Sequence, residues 1–272
     1  MPLLSRRDGT YVADAPVLRR LMPHLMPTRM GSVVFFDQRI ELTKTLPFLA
    51  SSGHTLFEVI LTAVVRTLAE RQQLNRFVVG RRLYQRNDIT LSFAVKKEMS
   101  DRGGLTTVKV RFEPGDTIAD VSRRAKEAIA VGRGKDKTTS EKEMSIVTRM
   151  PRFMLRFVLG AQRVLDYFNL LPASMIESDP LYASMFLANL GSVGLDAAYH
   201  HLYEYGTVPL FAVVGKTHKA PVADEDSTLR VADVVELRFA FDERIADGFY
   251  AARSLELFKA YVESPETLAG AQ

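Results

Sequence analysis

Two short segments carry the side chains best suited to proton transfer. One is DERIADG, which places the carboxylates of Glu243 and Asp247 four residues apart. The other is AYHHLYEYG, which holds the adjacent imidazoles of His200 and His201. Imidazoles and carboxylates both serve as general bases, but a free glutamate, with a pKa of about 4.3, is weak in that role unless burial raises its pKa. These segments therefore predict acid–base chemistry only if the fold makes one of these side chains a suitable base.

The sequence lacks the residues that several other catalytic chemistries need. The chain contains no cysteine, which excludes disulfides, thiolate metal sites and cysteine nucleophiles. The HExxH, CxxC and phosphate-loop patterns are missing, so we expect no metal and no nucleotide-fold cofactor. His24, His54 and His218 are isolated, and we interpret them as structural or solvated. We interpret His200 and His201 mainly as a structural or surface pair, with a catalytic role for His201 as the alternative.

The composition is that of an ordinary globular protein. Apolar residues make up 47% of the 272 positions and charged residues 25%, and the net charge is +4. This excess is too small and too scattered to predict nucleic-acid binding, but it suits an anionic partner such as a nucleotide phosphate or an acidic membrane. We find no leader pattern and no uncharged apolar run of about 18 residues. We therefore expect a cytoplasmic protein without a spanning helix, peripheral to a membrane at most.

Hydrophobic periodicity predicts one α+β domain with a mixed sheet. We assign residues 1–30 to an N-terminal arm and residues 31–268 to the domain, which includes an extra helical segment around 140–180. A charged loop is expected at 132–142. The predicted helices are 17–25, 55–74, 117–132 and 250–262, and the predicted strands are 33–42, 89–95, 105–112, 183–190, 210–215 and 229–241.

The segment 150–171 has an unusual charge pattern. At about 100° per residue, its arginines fall in one narrow stripe and apolar side chains cover much of the remainder. One interpretation is a helix packed on the core with a solvated arginine edge. A second is a basic amphipathic helix at a membrane interface or acting as a lid, and a third is a helix that binds a partner. The stripe consists of Arg149, Arg152, Arg156 and Arg163.

Four stretches, taken in order and with their separations, carry a family resemblance. They are HTLFEVILTAVVRTLAERQQLNRFV, NDITLSFAVKK, FLANLGSVG, and DERIADG with its following AARSLELFKAYVESPETL. The chain resembles the catalytic core of the 2-oxoacid dehydrogenase dihydrolipoyl acyltransferases, which share the fold of chloramphenicol acetyltransferase. FLANLGSVG is similar to the family's TISNLGSIGG, and DERIADG to its DHRVVDG. The resemblance spans about residues 30–268, and the stretch 133–182 has no counterpart.

The resemblance implies acyl transfer from a coenzyme A thioester, without a covalently bound cofactor. The family's histidine takes a proton from the acceptor, and a hydroxyl of the TIS segment on a neighbouring subunit hydrogen-bonds the oxyanion. Asp247 and Gly248 match the last two motif positions, and the aspartate is expected to anchor an internal ion pair. The resemblance also implies a homo-oligomer, either a trimer or a larger cage. The chain has no room for lipoyl or subunit-binding modules, so an acceptor would be free or supplied in trans.

Two positions depart from the family pattern. Glu243 stands where the motif has histidine, and Ala188, beside Asn189, stands where it has a hydroxyl. Alanine cannot donate a hydrogen bond, and loss of one oxyanion donor costs about 10²–10³ in rate. We therefore expect a catalytically degenerate protein, retained for self-assembly or binding. One alternative is a divergent acyl-CoA-dependent acyltransferase that uses Glu243 or His201 as base, and another is a membrane-surface binding module formed by residues 150–171.

Overall fold

The computed structural model describes residues 5–98, 100, 103–134, 149–224 and 226–270. The strands in these residues are β1 (Gly9–Tyr11), β2 (Val33–Glu41), β3 (Arg76–Val79), β4 (Arg82–Arg86), β5 (Ile89–Lys96), β6 (Leu105–Phe112), β7 (Met185–Asn189), β8 (Leu210–Val214), β9 (His218–Ala223) and β10 (Leu229–Asp242). The helices are α1 (Val17–Leu25), α2 (Thr45–Ser52), α3 (Leu56–Glu70), α4 (Ile118–Arg133), α5 (Arg152–Tyr167), α6 (Ala173–Ser178) and α7 (Gly248–Glu263).

A mixed sheet forms the centre of the chain. Its strand order is β2-β10-β8-β7-β5-β6, and β9 pairs with the first half of β10. Strand β7 runs parallel to both β5 and β8, whereas the remaining pairs are antiparallel. Along β10, Leu237, Phe239 and Phe241 enter the main core, while Ala240 packs in a cluster on the opposite face. This sheet confirms the α+β class and the strands that periodicity predicted.

Helices α3, α4 and α7 pack on the main-core face of the sheet. Thr55 begins α3 with a capping box, in which its hydroxyl accepts from the Glu58 backbone N–H and the Glu58 carboxylate accepts from the Thr55 N–H. All residues of α3 from 58 to 65 are buried, so this helix lies inside the core. Thr117 caps α4 in the same way, as its sequence predicted.

Length and apolar character decide whether a helix can span a membrane. Among the described residues, no single helix is both long and apolar enough to cross a membrane. The bent pair α2 and α3 meets the length and composition requirement together, and α3 is the buried core helix.

A second sheet of three short strands, in the order β1-β4-β3, escaped the sequence analysis. Strands β3 and β4 form a hairpin whose two-residue turn is Gly80-Arg81, with φ angles of 57° and 59°. Two consecutive positive φ angles favour the right-handed twist of a tight hairpin. Strand β1 comes from the predicted arm, so part of residues 1–30 is joined to this sheet.

Helix α5 differs from the first interpretation of its sequence. That interpretation was a helix packed on the core, but Gln162 is the one buried residue of α5. Phe153 and Phe157 are each 76% exposed. The charged loop expected at 132–142 is described only as far as Gly134, and residues 140–148 of the predicted extra segment also lie outside the described residues.

The cap of α3 can be tested by removing one hydroxyl. Thr55→Ala leaves the Glu58 N–H without its side-chain acceptor, and we expect a loss of about 1 kcal/mol in the free energy of unfolding. Urea denaturation measures this value. Thr55→Ser keeps the acceptor and should stay near the wild type; an equal loss in both variants would show that the cap does not stabilise the helix.

Candidate functional site

The turn after β10 is organised by a buried ion pair. The Asp242 side chain is fully buried and that of Arg244 is 3% exposed. The guanidinium donates from Nε to Oδ1 at 2.8 Å and from Nη2 to Oδ2 at 2.7 Å, a bidentate arrangement. The Arg244 backbone N–H also donates to Asp242 Oδ1 at 3.1 Å. Because removal of either partner would leave a desolvated charge, this pair determines the shape of the turn.

The N-terminal arm ties this turn to the sheet. Ser32 Oγ donates to Asp242 Oδ1 at 2.9 Å, and Arg244 Nη1 donates to the Met26 carbonyl at 3.1 Å. The Glu243 backbone N–H donates to the Ser32 carbonyl at 3.0 Å. These arm residues escaped the sequence analysis because no motif marks them. Their contribution follows only from the fold, which brings the arm beside residues more than 200 positions later.

The Glu243 side chain takes no part in this network. Its residue is half-buried, and among the described residues no hydrogen bond to its carboxylate is found. The backbone is held instead, since the Arg19 guanidinium donates to the Glu243 carbonyl. Burial lowers the pKa of Arg19, while the charges of Asp247, Glu243 and Asp242 oppose that shift. The motif position therefore carries a carboxylate next to a guanidinium.

Asp247 has a different role from the expected one. The resemblance implied that this aspartate anchors an internal ion pair, but its side chain caps α7, with Oδ1 accepting from the Tyr250 N–H at 2.8 Å. Asp247 is exposed, and the buried ion pair of this turn is formed by Asp242 and Arg244 instead. Gly248 opens α7, and a Cβ there would meet no heavy atom within 4 Å.

The second half of the motif lies at the end of β7. Ala188 and Asn189 are half-buried, and the Asn189 carboxamide oxygen accepts from the Ser192 N–H at 3.1 Å. Ser192 Oγ donates to the Asn189 carbonyl at 2.7 Å. Gly191 passes against the Gly215 carbonyl, where a side chain would clash. The segment thus forms a tight turn in which the Ser192 hydroxyl is bonded to the backbone, and the Ala188 side chain has no hydrogen-bonding group.

One chain does not bring the two halves of the motif together. The register pairs Ala188 with Val213, and Val213 with Arg238. Asp242 lies four residues beyond Arg238, and a strand rises ~3.3 Å per residue with about 4.8 Å between neighbours. The Ala188 segment and the Glu243 turn are therefore on the order of 15 Å apart. A single reacting carbonyl cannot contact both.

The paired histidines lie on a loop that covers the sheet. The His200 ring stacks on Phe211 with a centroid distance of 3.8 Å, and its Nδ1 is 2.7 Å from the His201 carbonyl. Burial lowers the pKa of His200. His201 is exposed and stacks on His200. This geometry supports the structural interpretation of His200, whereas the catalytic role of His201 stays a prediction.

Metal binding was not expected, and the described residues contain no group of three or more His, Asp or Glu side chains placed to hold an ion.

A cavity of about 310 Å³ lies behind the motif turn. Its wall includes Arg29, a buried arginine whose Nη1 donates to the Tyr203 carbonyl at 2.6 Å. Burial lowers the pKa of Arg29.

Comparison with known proteins agrees with this architecture. Residues 178–269 match the model of the 2-oxoacid dehydrogenases acyltransferase (catalytic domain) family. This stretch contains both the Ala188 segment and the Glu243 turn. No curated protein matches the chain.

Solved structures extend the likeness to the whole fold. Dihydrolipoamide acetyltransferase from Azotobacter vinelandii is 16% identical and has a TM-score of 0.61, with 95% of this chain and 94% of that chain covered. The cubic core of the pyruvate dehydrogenase multienzyme complex is 14% identical, with a TM-score of 0.54 and coverage of 95% and 94%. A chloramphenicol acetyltransferase is 12% identical, with a TM-score of 0.53 and coverage of 96% and 99%.

These likenesses confirm the resemblance drawn from the sequence. The chain has the chloramphenicol acetyltransferase-like fold, and it is an acyltransferase-fold protein similar to the 2-oxoacid dehydrogenase acyltransferase core. The study of the Azotobacter vinelandii enzyme concerns a serine, a histidine and an asparagine in its catalytic mechanism.

The buried ion pair gives a direct prediction of stability. Asp242→Ala would leave the Arg244 guanidinium buried without its carboxylate, and we expect a loss of about 3–5 kcal/mol in the free energy of unfolding. Asp233→Ala on the same strand is the matched control, because its pair with Lys219 is largely exposed and should cost less than about 1 kcal/mol. Similar losses for both variants in urea denaturation would contradict the organising role of the buried pair.

Proposed function

We propose that this protein is a catalytically degenerate relative of the dihydrolipoyl acyltransferases that is retained for self-assembly. In this proposal the Glu243 turn of one copy faces the Ala188 segment of the next. The observation that carries the proposal is the separation of the two motif segments, on the order of 15 Å within one chain. Each chain keeps both parts of the frame, but only a neighbouring copy can complete it.

The chemistry at both positions supports degeneracy. Acyl transfer to a thiol or hydroxyl needs a proton acceptor and a donor for the oxyanion. Ala188 has no donor, and the Ser192 hydroxyl donates to the Asn189 carbonyl. Glu243 supplies a carboxylate in place of the motif's imidazole. In this proposal the chain keeps the frame without the pair of groups that would accelerate the reaction.

Exposed apolar side chains lie near both motif segments. We define the motif-turn patch as Phe249, which is 74% exposed just after the turn, together with exposed apolar residues of α1, the helix whose Arg19 contacts the turn. The Ala188-side patch follows that segment in the chain. The members of the motif-turn patch are Val17, Leu18, Leu21 and Phe249, and those of the Ala188-side patch are Val193, Leu195 and Tyr199.

Two different patches favour a head-to-tail contact. A contact between unlike surfaces forms a ring when the rotation between copies closes. A trimer is the form that the family resemblance implies, and association of rings into a larger cage would correspond to the cubic core among the similar structures. We therefore propose a closed homo-oligomer, a trimer in its simplest form.

A divergent acyltransferase is the competing proposal. Its support is the position of Glu243, which is half-buried at the motif turn and whose backbone N–H donates to the Ser32 carbonyl. In this case a coenzyme A thioester would be the acyl donor, and Glu243 or His201 would accept the proton. The two proposals differ in one measurable respect, the dependence of acyl transfer on these side chains.

Self-association predicts a particle heavier than one chain of 30.5 kDa. Sedimentation equilibrium of the wild type should give a closed multiple of this mass. Leu18→Glu combined with Phe249→Glu places charges in the motif-turn patch, and we expect the particle to dissociate. Leu105→Glu, at a residue 69% exposed on β6, is the matched control and should keep the mass. A wild-type mass equal to one chain over a wide concentration range would contradict the assembly.

Degeneracy predicts an inactive wild type and a partly restored variant. With acyl-coenzyme A donors and dihydrolipoamide, thiol release by the wild type should equal the background. Glu243→His combined with Ala188→Ser returns a base and a donor, each worth about 10²–10³ in rate, so release should rise above background. Glu256→His on α7 controls for an added imidazole. Wild-type release that disappears in Glu243→Ala or His201→Ala would instead establish the divergent acyltransferase.

A further inference from the structure

Helix α5 presents its apolar side to the solvent. At ~100° per residue, Phe153, Phe157 and Val164 lie within about 40° of one another on the helix surface. Their exposed fractions are 76%, 76% and 57%. A helix that packs on its own chain would bury such a sector. Clustered apolar side chains on a surface mark a site of interaction with another molecule or a membrane.

The opposite side of α5 holds the helix to the protein, and specific polar contacts lie there. Gln162, about 180° from the Phe153 direction, is buried and donates to the Tyr205 hydroxyl. Asp166 accepts from Arg6 Nη1 at 2.8 Å. The Arg6 side chain is 1% exposed and that of Asp166 is 13% exposed. The end of the helix passes against Gly80, where a side chain would clash with the Tyr167 carbonyl. The outward orientation therefore rests on specific polar contacts.

The charges on the solvent side of α5 are all positive. Arg152, Arg156 and Arg163 lie within about 40° of one another on the flank of the apolar sector, and Arg149 precedes the helix. All four are exposed, and none forms an ion pair with a residue that the structure describes. The one acidic residue of α5 is Asp166, which points inward to Arg6. An apolar sector with a cationic flank is typical of helices that lie in the interface of an anionic membrane.

We propose that α5 docks this protein on an anionic lipid surface. The Phe153 sector enters the boundary between headgroups and acyl chains, and the arginine flank contacts the anionic headgroups. In this proposal the helix lies in the plane of the interface. The role is separate from the proposed assembly, because it uses neither the motif-turn patch nor the Ala188-side patch.

Charge distinguishes a lipid surface from a second copy of the same face. A two-fold contact between α5 helices would bring the arginine flanks of both copies together, and like charges at close range oppose association. An anionic lipid surface complements the apolar sector and the arginine flank at once. The occupant with the matching chemistry is therefore an anionic lipid surface.

Because the chain contains no tryptophan, one introduced tryptophan reports how deeply its position enters a lipid bilayer. Phe157→Trp places a single tryptophan in the apolar sector. With vesicles of phosphatidylglycerol and phosphatidylcholine, its emission should shift to the blue and be quenched by lipids brominated on the acyl chain. Leu229→Trp is the matched control, because Leu229 is 73% exposed at the start of β10 and should respond to neither. The same lack of response from Trp at position 157 would overturn the proposal.

A second comparison tests the charge. Arg152→Gln with Arg156→Gln should weaken partitioning into the anionic vesicles roughly 30-fold, since each arginine near such a surface is worth about a factor of five. Arg123→Gln with Arg253→Gln removes the same charge from α4 and α7 and should bind as the wild type does. Equal losses for both double variants, or equal binding to pure phosphatidylcholine vesicles, would contradict specific docking through α5. A Phe153→Ser, Phe157→Ser variant that changes the particle mass instead would assign the face to contacts between copies.

Discussion

The buried ion pair between Asp242 and Arg244 is the interaction on which the motif turn depends. Charges with 0% and 3% exposure are tolerated only when each is neutralised and hydrogen-bonded. Here Ser32 and the Met26 carbonyl complete the bonding, so the arm, the end of β10 and the turn form one unit. The arm is thus a structural part of the site, and disturbing it would release the turn.

This bonding holds the turn without help from the Glu243 side chain. The Glu243 backbone N–H and carbonyl are both engaged, by Ser32 and Arg19, while its side chain supports nothing in the turn. Ala188 likewise contributes to the sheet through its pairing with Val213. At both positions the backbone bonding does not depend on the side chain. If the protein is retained for assembly, as proposed above, selection acts on the backbone and the ion pair rather than on catalysis by these two side chains.

The sequence predicted those elements whose patterns are long and repetitive. Helices α3 and α4 had both a capping residue and a periodic apolar face, and β10 had a long alternation. The hairpin of β3 and β4 was missed because its strands are only four and five residues long. Strand β9 was missed because it contains Pro221, which weakens a strand pattern. A short strand is recognised by the strand that it pairs with, and this pairing is known only from the structure.

The sequence indicates candidate site residues but not how they lie relative to one another. Residue types located Glu243 and Ala188, yet sequence separation says nothing about which of them meet in space. Asp247 was assigned an ion pair that Asp242 and Arg244 form instead, because a capping carboxylate and a paired carboxylate look alike in sequence. For α5, the periodicity showed an apolar sector but could not show that the Gln162 side faces the protein.

The most direct test of the account asks whether the two motif segments meet between copies. Since the chain has no cysteine, Glu243→Cys and Ala188→Cys can be placed in separate, differently tagged chains that are produced together. A short bis-maleimide should join one chain of each kind, and chains that carry Glu243→Cys alone should remain unlinked. Absence of the mixed product in a particle of one-chain mass would contradict the claim that neighbouring copies complete the frame.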